Sequence, residues 1–300
     1  MEYILFSFLA LLASAGNTIF NRIGAKHASA LLNATVKSFF IVIACFLICL
    51  AMGHAPTLYS WSSTDFIWLS VVGVLTAIDW LFYFFAIKRT HLEVFAPFTN
   101  SGVLFTSNLL FLIFMFASVT NGGKPLNITF FIIGLLCMVG AMMFVIFNKK
   151  MNPSQKFIWI IYDVISIVAF AFLLLIVKMK LSHIPSDVIS FHQMLITFVI
   201  LFIIACASKT IVEIGKIRPL DHLYIFIGAV FNALMNIFRY QAFSYDNCIP
   251  AIVNVIVALD FIIVSVITVI FYKSKNKIAL IIAISLIFTG MILNLLAGLI

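Results

Sequence analysis

Apolar residues run through the chain in ten blocks, each close to the roughly 20 residues that cross about 30 Å of hydrocarbon at 1.5 Å per residue. The blocks cover 3–23, 31–52, 66–87, 94–117, 127–147, 157–177, 186–206, 222–243, 250–271 and 278–299. Charge, Pro and Gly mark the breaks, from Arg22 to His27, His54 to Asp65, Lys88 to Glu93, Asn121 to Pro125, Asn148 to Lys156, Lys178 to Pro185, Lys209 to Asp221, Asp246 to Pro250 and Lys273 to Lys277. Spanning strands would alternate apolar and polar residues in runs of about ten, and no such alternation occurs. The pattern predicts an all-α integral membrane protein of ten transmembrane helices. Ten divides into five and five, and an odd count turns the second set upside down relative to the first. Residues 1–150 and 151–300 are therefore expected to be two inverted five-helix repeats, an architecture common among secondary transporters.

Composition agrees with the blocks. Hydrophobic residues make up 64% of the 300 and charged residues 9%, against roughly 25% charge in a soluble domain. The net charge of +8 is spread over helix ends, where cations anchor spans and set orientation. It forms no polybasic patch, so no nucleic-acid partner is expected. Ala13-Ser14-Ala15 looks like a signal cleavage site, but Glu2 precedes it, no Lys or Arg does, and the apolar run continues to Phe20. A retained first helix is expected. Cys45, Cys49, Cys137, Cys206 and Cys248 show no metal-ligand spacing and read as packing residues.

The connections reached by the far end of the first span hold Arg22, Lys26, Lys88, Arg89, Lys149, Lys150, Lys156, Lys209, Lys216, Arg218, Lys273, Lys275 and Lys277. Those on the side where it starts hold only Lys124, Lys178 and Lys180. By the positive-inside rule both termini lie outside the cytoplasm.

Weak internal matches support the repeat. Ala86 placed on Ala242 lays Tyr83-Phe84-Phe85-Ala86 over Arg239-Tyr240-Gln241-Ala242. Pro97 and Pro250 then both open spans, Tyr3 on Phe157 brings Lys26 onto Lys180, Lys37 falls near His192 and Gln193, and Gly140 and Gly290 occupy like places. The run Asp79-Trp80-Leu81-Phe82-Tyr83-Phe84-Phe85-Ala86-Ile87, followed by Val94-Phe95-Ala96-Pro97, resembles the "WLxYFxAL … VAP" stretch of the EamA-type drug/metabolite transporter superfamily. Asn33-Ala34-Thr35-Val36-Lys37-Ser38 resembles that family's "ATxxR(T/S)" opening of the second helix, with Lys37 in place of Arg. In the second half the resemblance rests on helix layout and on Leu259-Asp260-Phe261, where the family often has Leu-Glu-Pro. The "GE" that usually closes helices four and nine is replaced by Asn121-Gly122-Gly123 and Lys273-Ser274-Lys275. The resemblance implies a cavity formed by spans one to four and six to nine, with five and ten outside, and termini in the cytoplasm.

Charges at bilayer depth cost at least about 2.5–3.5 kcal/mol and should face a cavity or a partner. Counted from span ends, Lys37, Asp79 and Asp163 lie roughly 9–12 Å from the side where the first span ends. His192 and Arg239 lie about 9 and 6 Å from the other side, and Asp260 about 15 Å in, at the midplane. Asp260 reads either as a substrate or proton site or as a partner of Arg239, and Asp79 is expected to pair with Lys37, with Asp163 as a second acid nearby. His192 reads as a core histidine or as part of the charge network. Asn17, Asn100, Asn108, Gln193, Asn232, Asn236, Gln241, Asn254 and Asn294 line a cavity or bond helices together. Trp80, Tyr83 and Tyr240 stand beside these groups.

Phosphate-loop, zinc-protease, nucleophile-elbow and dinucleotide motifs are absent, and His91 with Glu93 or His183 with Asp187 lacks a third catalytic partner. The chain is expected to be no enzyme and to need no cofactor or metal. The expected function is secondary transport, by alternating access, of a small cationic or zwitterionic metabolite such as an amino acid or amine, coupled to protons through the buried acids. The expected substrate-binding residues are Asp79, Trp80, Tyr83, Asn100, Asn232, Asn236, Tyr240 and Asp260, with Lys37, Asp163, His192 and Arg239 as the charge network. An uncoupled facilitator or lipid-metabolite flippase of the same fold, or a non-transporting structural or regulatory membrane protein, are the alternatives. The setting is the cell membrane, as a monomer or weak dimer.

Overall fold

The computed structural model describes residues 2–24, 29–90, 92–114, 127–148, 157–271 and 277–299. Within them are eleven α-helices and no strand: α1 Glu2–Gly24, α2 Ala30–Ala51, α3 Ser63–Ile87, α4 Leu92–Phe114, α5 Ile128–Phe147, α6 Ile158–Ile176, α7 Ser186–Ala207, α8 Pro219–Ser244, α9 Pro250–Ala258, α10 Asp260–Phe271 and α11 Lys277–Leu299. The connecting residues Lys26, Asn121-Gly122-Gly123, Lys124, Lys149, Lys150, Lys156 and Lys273-Ser274-Lys275, together with His91, lie outside the described residues.

Helix ends follow local chemistry. The Ser29 hydroxyl accepts from the Leu32 amide at 3.2 Å and Ser62 from Asp65 at 3.1 Å, and the Asn127 side chain accepts from Phe130 at 3.3 Å. Each satisfies an amide that the first turn leaves free. Pro219 and Pro250 sit in opening turns, where the missing N–H is not needed.

Among the described residues, nine helices are long and apolar enough to cross a membrane, and Pro250–Val264 is a shorter apolar stretch. The sequence predicts one continuous span over 250–271, and the structure corrects it. That span breaks at Leu259, between α9 and α10. The Leu259 amide donates to Ile256 O at 3.1 Å and the Ile262 amide to Leu259 O at 3.0 Å, three-residue closures that tighten the chain in place of regular α-helical ones. Asp260 thereby becomes the first residue of α10, where a helix dipole favours an acid, and its carboxylate is held from α1 by the Ser14 hydroxyl.

Packing runs between the chain's halves. α1 lies on α8, α3 on α6, α2 on α7 and α5 on α11. The α5–α11 crossing is backbone to backbone, because a Cβ on Gly134 would stand 2.8 Å from Gly290 O. Small residues permit such close approach in lipid. Gly140, the sequence match for Gly290, has nothing within 4 Å of its Cβ position.

Candidate solute-binding cavity

Seven regions of the chain supply one central cavity of about 130 Å³. α1 contributes Ser14, Asn17, Thr18 and Asn21, and α2 contributes Lys37. α3 supplies Asp79, Trp80, Tyr83 and Phe84, and α4 supplies Phe95, Ala96, Thr99, Asn100 and Val103. Ser166 and Phe170 come from α6, Asn232, Met235 and Arg239 from α8, and Asn254, Val257, Ala258 and Asp260 from the α9–α10 break. Among the described residues, α5, α7 and α11 supply none of the wall. The volume has room for on the order of ten waters at roughly 10–15 Å³ each, the scale of a small metabolite.

The α1 face explains itself. Ser14, Asn17, Thr18 and Asn21 recur at three- and four-residue spacing, which places them on one side of the helix. Lys37 Nζ donates to the side-chain oxygens of both Asn17 and Asn21 and stands 5.0 Å from the centre of the Trp80 ring. The expected Lys37–Asp79 ion pair is not formed, because the amide oxygens of α1 take the ammonium and Asp79 Oδ1 instead accepts from the Ser166 hydroxyl. α6 repeats this arrangement one turn earlier. Asp163, fully buried, accepts from Thr99 Oγ1 at 2.6 Å, while its other oxygen has no partner. Thr99 lines the cavity and Asp163 stands behind it.

At the other end the charges are less complete. Ser14 holds one oxygen of Asp260, and Oδ1 of that carboxylate has no partner. Arg239 does not reach it: no ion pair joins the two among the described residues.

Of the residues singled out from sequence, Asp79, Trp80, Tyr83, Asn100, Asn232, Asp260, Lys37 and Arg239 meet at the cavity. Asn236 sits behind, donating to Asn232 Oδ1 at 3.2 Å. The Tyr240 hydroxyl donates to Gln193 Oε1 at 2.7 Å, and Gln193 Nε2 to Thr76 Oγ1 at 2.8 Å, which ties α8, α7 and α3 together away from the wall. His192 is spent on the Leu58 carbonyl at 2.8 Å. His183 faces Asp65 at 3.3 Å while Asp187 faces His54 at 2.9 Å, so that His183 and Asp187 serve different partners. Ser14, Thr18, Asn21, Thr99 and Ser166 are wall residues that the hydropathy pattern passes over.

No protein of curated function matches the chain. A solved crystal structure without a functional description resembles it with a TM-score of 0.61, at 16% identity, over 99% of both chains, a likeness of fold. Residues 157–296 match the EamA-like transporter family. That is the half in which the quoted motifs were sparser. The match spans a little under half of the chain, and together with the long apolar helices it marks a multi-pass membrane protein similar to that family.

Proposed function

We propose that this protein is a secondary transporter that carries a small cationic or zwitterionic amine, such as an amino acid, across a cell membrane by alternating access. Residues 1–150 and 151–300 act as two inverted five-helix units around the central cavity, with α9 and α10 together serving as one broken span. Broken helices at a midplane site recur in transporters, where helix ends and unwound backbone meet the solute. The observation that carries this reading is convergence. Polar side chains of α1, α2, α3, α4, α6, α8 and the α9–α10 break point into one space, whereas helix-bonding residues alone would be scattered over many contacts.

The ammonium docks between Asp79 and Asp260, with Trp80 and Tyr83 flanking it. Asp260, with no cationic partner within 4 Å among the described residues, exchanges a proton against the solute, with Asp163 behind Thr99 as a second acid. A thermal-shift screen of the purified protein against amino acids and amines tests the binding half, since ligand at 100 times its dissociation constant stabilises by about 2.7 kcal/mol. Flux of the hit in proteoliposomes tests the rest. An imposed pH gradient should drive it, and flux indifferent to the gradient would make the protein an uncoupled facilitator. The charge bias of the connections places both termini outside the cytoplasm, so a C-terminal reporter active only in the cytoplasm should stay silent.

A further inference from the structure

Arg239 is the buried cation at the cavity that the described residues leave unanswered. The residue is 6% exposed and lines the cavity, yet among the described residues Nε and Nη1 have no hydrogen-bond partner and no carboxylate stands within 4.0 Å of it. Its neighbour is apolar: the Phe170 ring centre lies 5.2 Å from the guanidinium carbon. A guanidinium cannot shed its proton to escape burial, and an uncompensated buried charge costs several kcal/mol. The other cavity charges are met, Lys37 by two amide oxygens, Asp79 by Ser166 and Asp260 in part by Ser14.

Two residues of opposite sign therefore line one space without pairing, each with atoms left unmet: Nε and Nη1 of Arg239 and Oδ1 of Asp260. A simple amine would answer only the second and would bring a further positive charge beside an unpaired guanidinium. A solute with both an ammonium and a carboxylate answers both. The planar N–H fork of Arg is matched to a carboxylate, which it grips through two parallel hydrogen bonds.

We propose that Arg239 is the carboxylate-binding residue of the cavity, and hence that the solute is an amine that also bears a carboxylate. The inference rests on the transporter reading above and narrows it. Arg239 and the α9–α10 break hold the two ends of the molecule, and Phe170 provides an apolar support beneath the guanidinium.

Matched probes test it: leucine with isopentylamine, phenylalanine with phenethylamine, and lysine with cadaverine, each titrated against the purified protein with thermal stabilisation as readout. In the wild type, at least one amino acid should bind about tenfold or more tighter than its decarboxylated partner. Arg239→Gln should bring the amino acid down to the affinity of the amine and leave the amine where it was. Arg239→Lys, which keeps the charge without the fork, should retain part of the preference. Asp260→Asn should weaken both members of the pair. Equal wild-type affinity for acid and amine, or an Arg239→Gln loss that falls equally on both in a monodisperse protein, overturns the carboxylate subsite while sparing the transporter reading. No stabilisation by any member of any pair overturns both.

Discussion

The two cations of the cavity make opposite use of similar surroundings. Lys37, about 10 Å along α2 from its first residue, and Arg239, about 7.5 Å short of the end of α8, are both buried and both near an aromatic ring at 5.0 and 5.2 Å. Lys37 is complete within the protein, its ammonium taken by Asn17 and Asn21. Arg239 has no acceptor for Nε or Nη1. Burial alone therefore does not identify a binding residue; a place on the cavity wall with donors left unanswered is what sets Arg239 apart from Lys37. On this comparison Lys37 fixes α1 against α2 and shapes the wall, while Arg239 waits for a group from outside.

The largest effect should come from the acids that stand near each end. Asp260→Asn removes the carboxylate at the helix break and should abolish flux driven by a pH gradient. Asp79→Asn keeps an oxygen for Ser166 and leaves Lys37 on its two amides, so its defect should be partial. Uptake measured in proteoliposomes at matched protein levels checks this, and comparable loss in both would erase the difference between the ends.

Next comes stability without ligand. Lys37→Met strands the oxygens of Asn17 and Asn21, at about 1–3 kcal/mol each, and should lower the thermal midpoint. Arg239→Met replaces an unanswered charge by an apolar side chain and should be neutral or stabilising, by up to about 1–4 kcal/mol. Opposite signs are the point of the experiment, and a fall in midpoint for both would show that Arg239 is held by the protein after all. The smallest effect belongs behind the wall. Tyr240→Phe deletes one hydrogen bond to Gln193, so a loss of about 1 kcal/mol with unchanged solute affinity is expected. A drop in affinity larger than the drop in stability would bring Tyr240 into the binding site.

Helix positions were legible because apolar blocks and charged breaks are one-dimensional signals. The break at Leu259 was not, since Asn254 to Phe261 contains neither Pro nor Gly and reads as one apolar run with a single acid. The contact that holds the Asp260 side chain at this helix start comes from Ser14, 246 residues away. Depth could be counted from span ends, but the direction around the helix could not. Hence Lys37, Asp79 and Asp260 reach the cavity as their depth suggested, while His192, Gln193 and Tyr240, at comparable depth, turn to Leu58, Thr76 and each other. Hydroxyls were the quietest signal of all. Ser14, Thr99 and Ser166 barely alter hydropathy, yet each holds a buried carboxylate. Only the spacing of Ser14, Asn17, Thr18 and Asn21 carried a clue, a polar line on an otherwise apolar helix.

The central claim is that the polar space between α1–α4, α6, α8 and the α9–α10 break is where the solute sits. Single cysteines test it directly, in a chain whose five native cysteines are replaced by serine or alanine. Asn100→Cys places a thiol on the cavity wall and Asn236→Cys places one behind it. With a small membrane-impermeant thiol reagent applied from each side of the membrane in turn, the account predicts that position 100 reacts and position 236 does not. A mixture of amino acids at millimolar concentration should slow the reaction at 100 by about tenfold or more, as expected for an occupied site. Equal reactivity at both positions, or a rate at 100 that no amino acid changes, would contradict it.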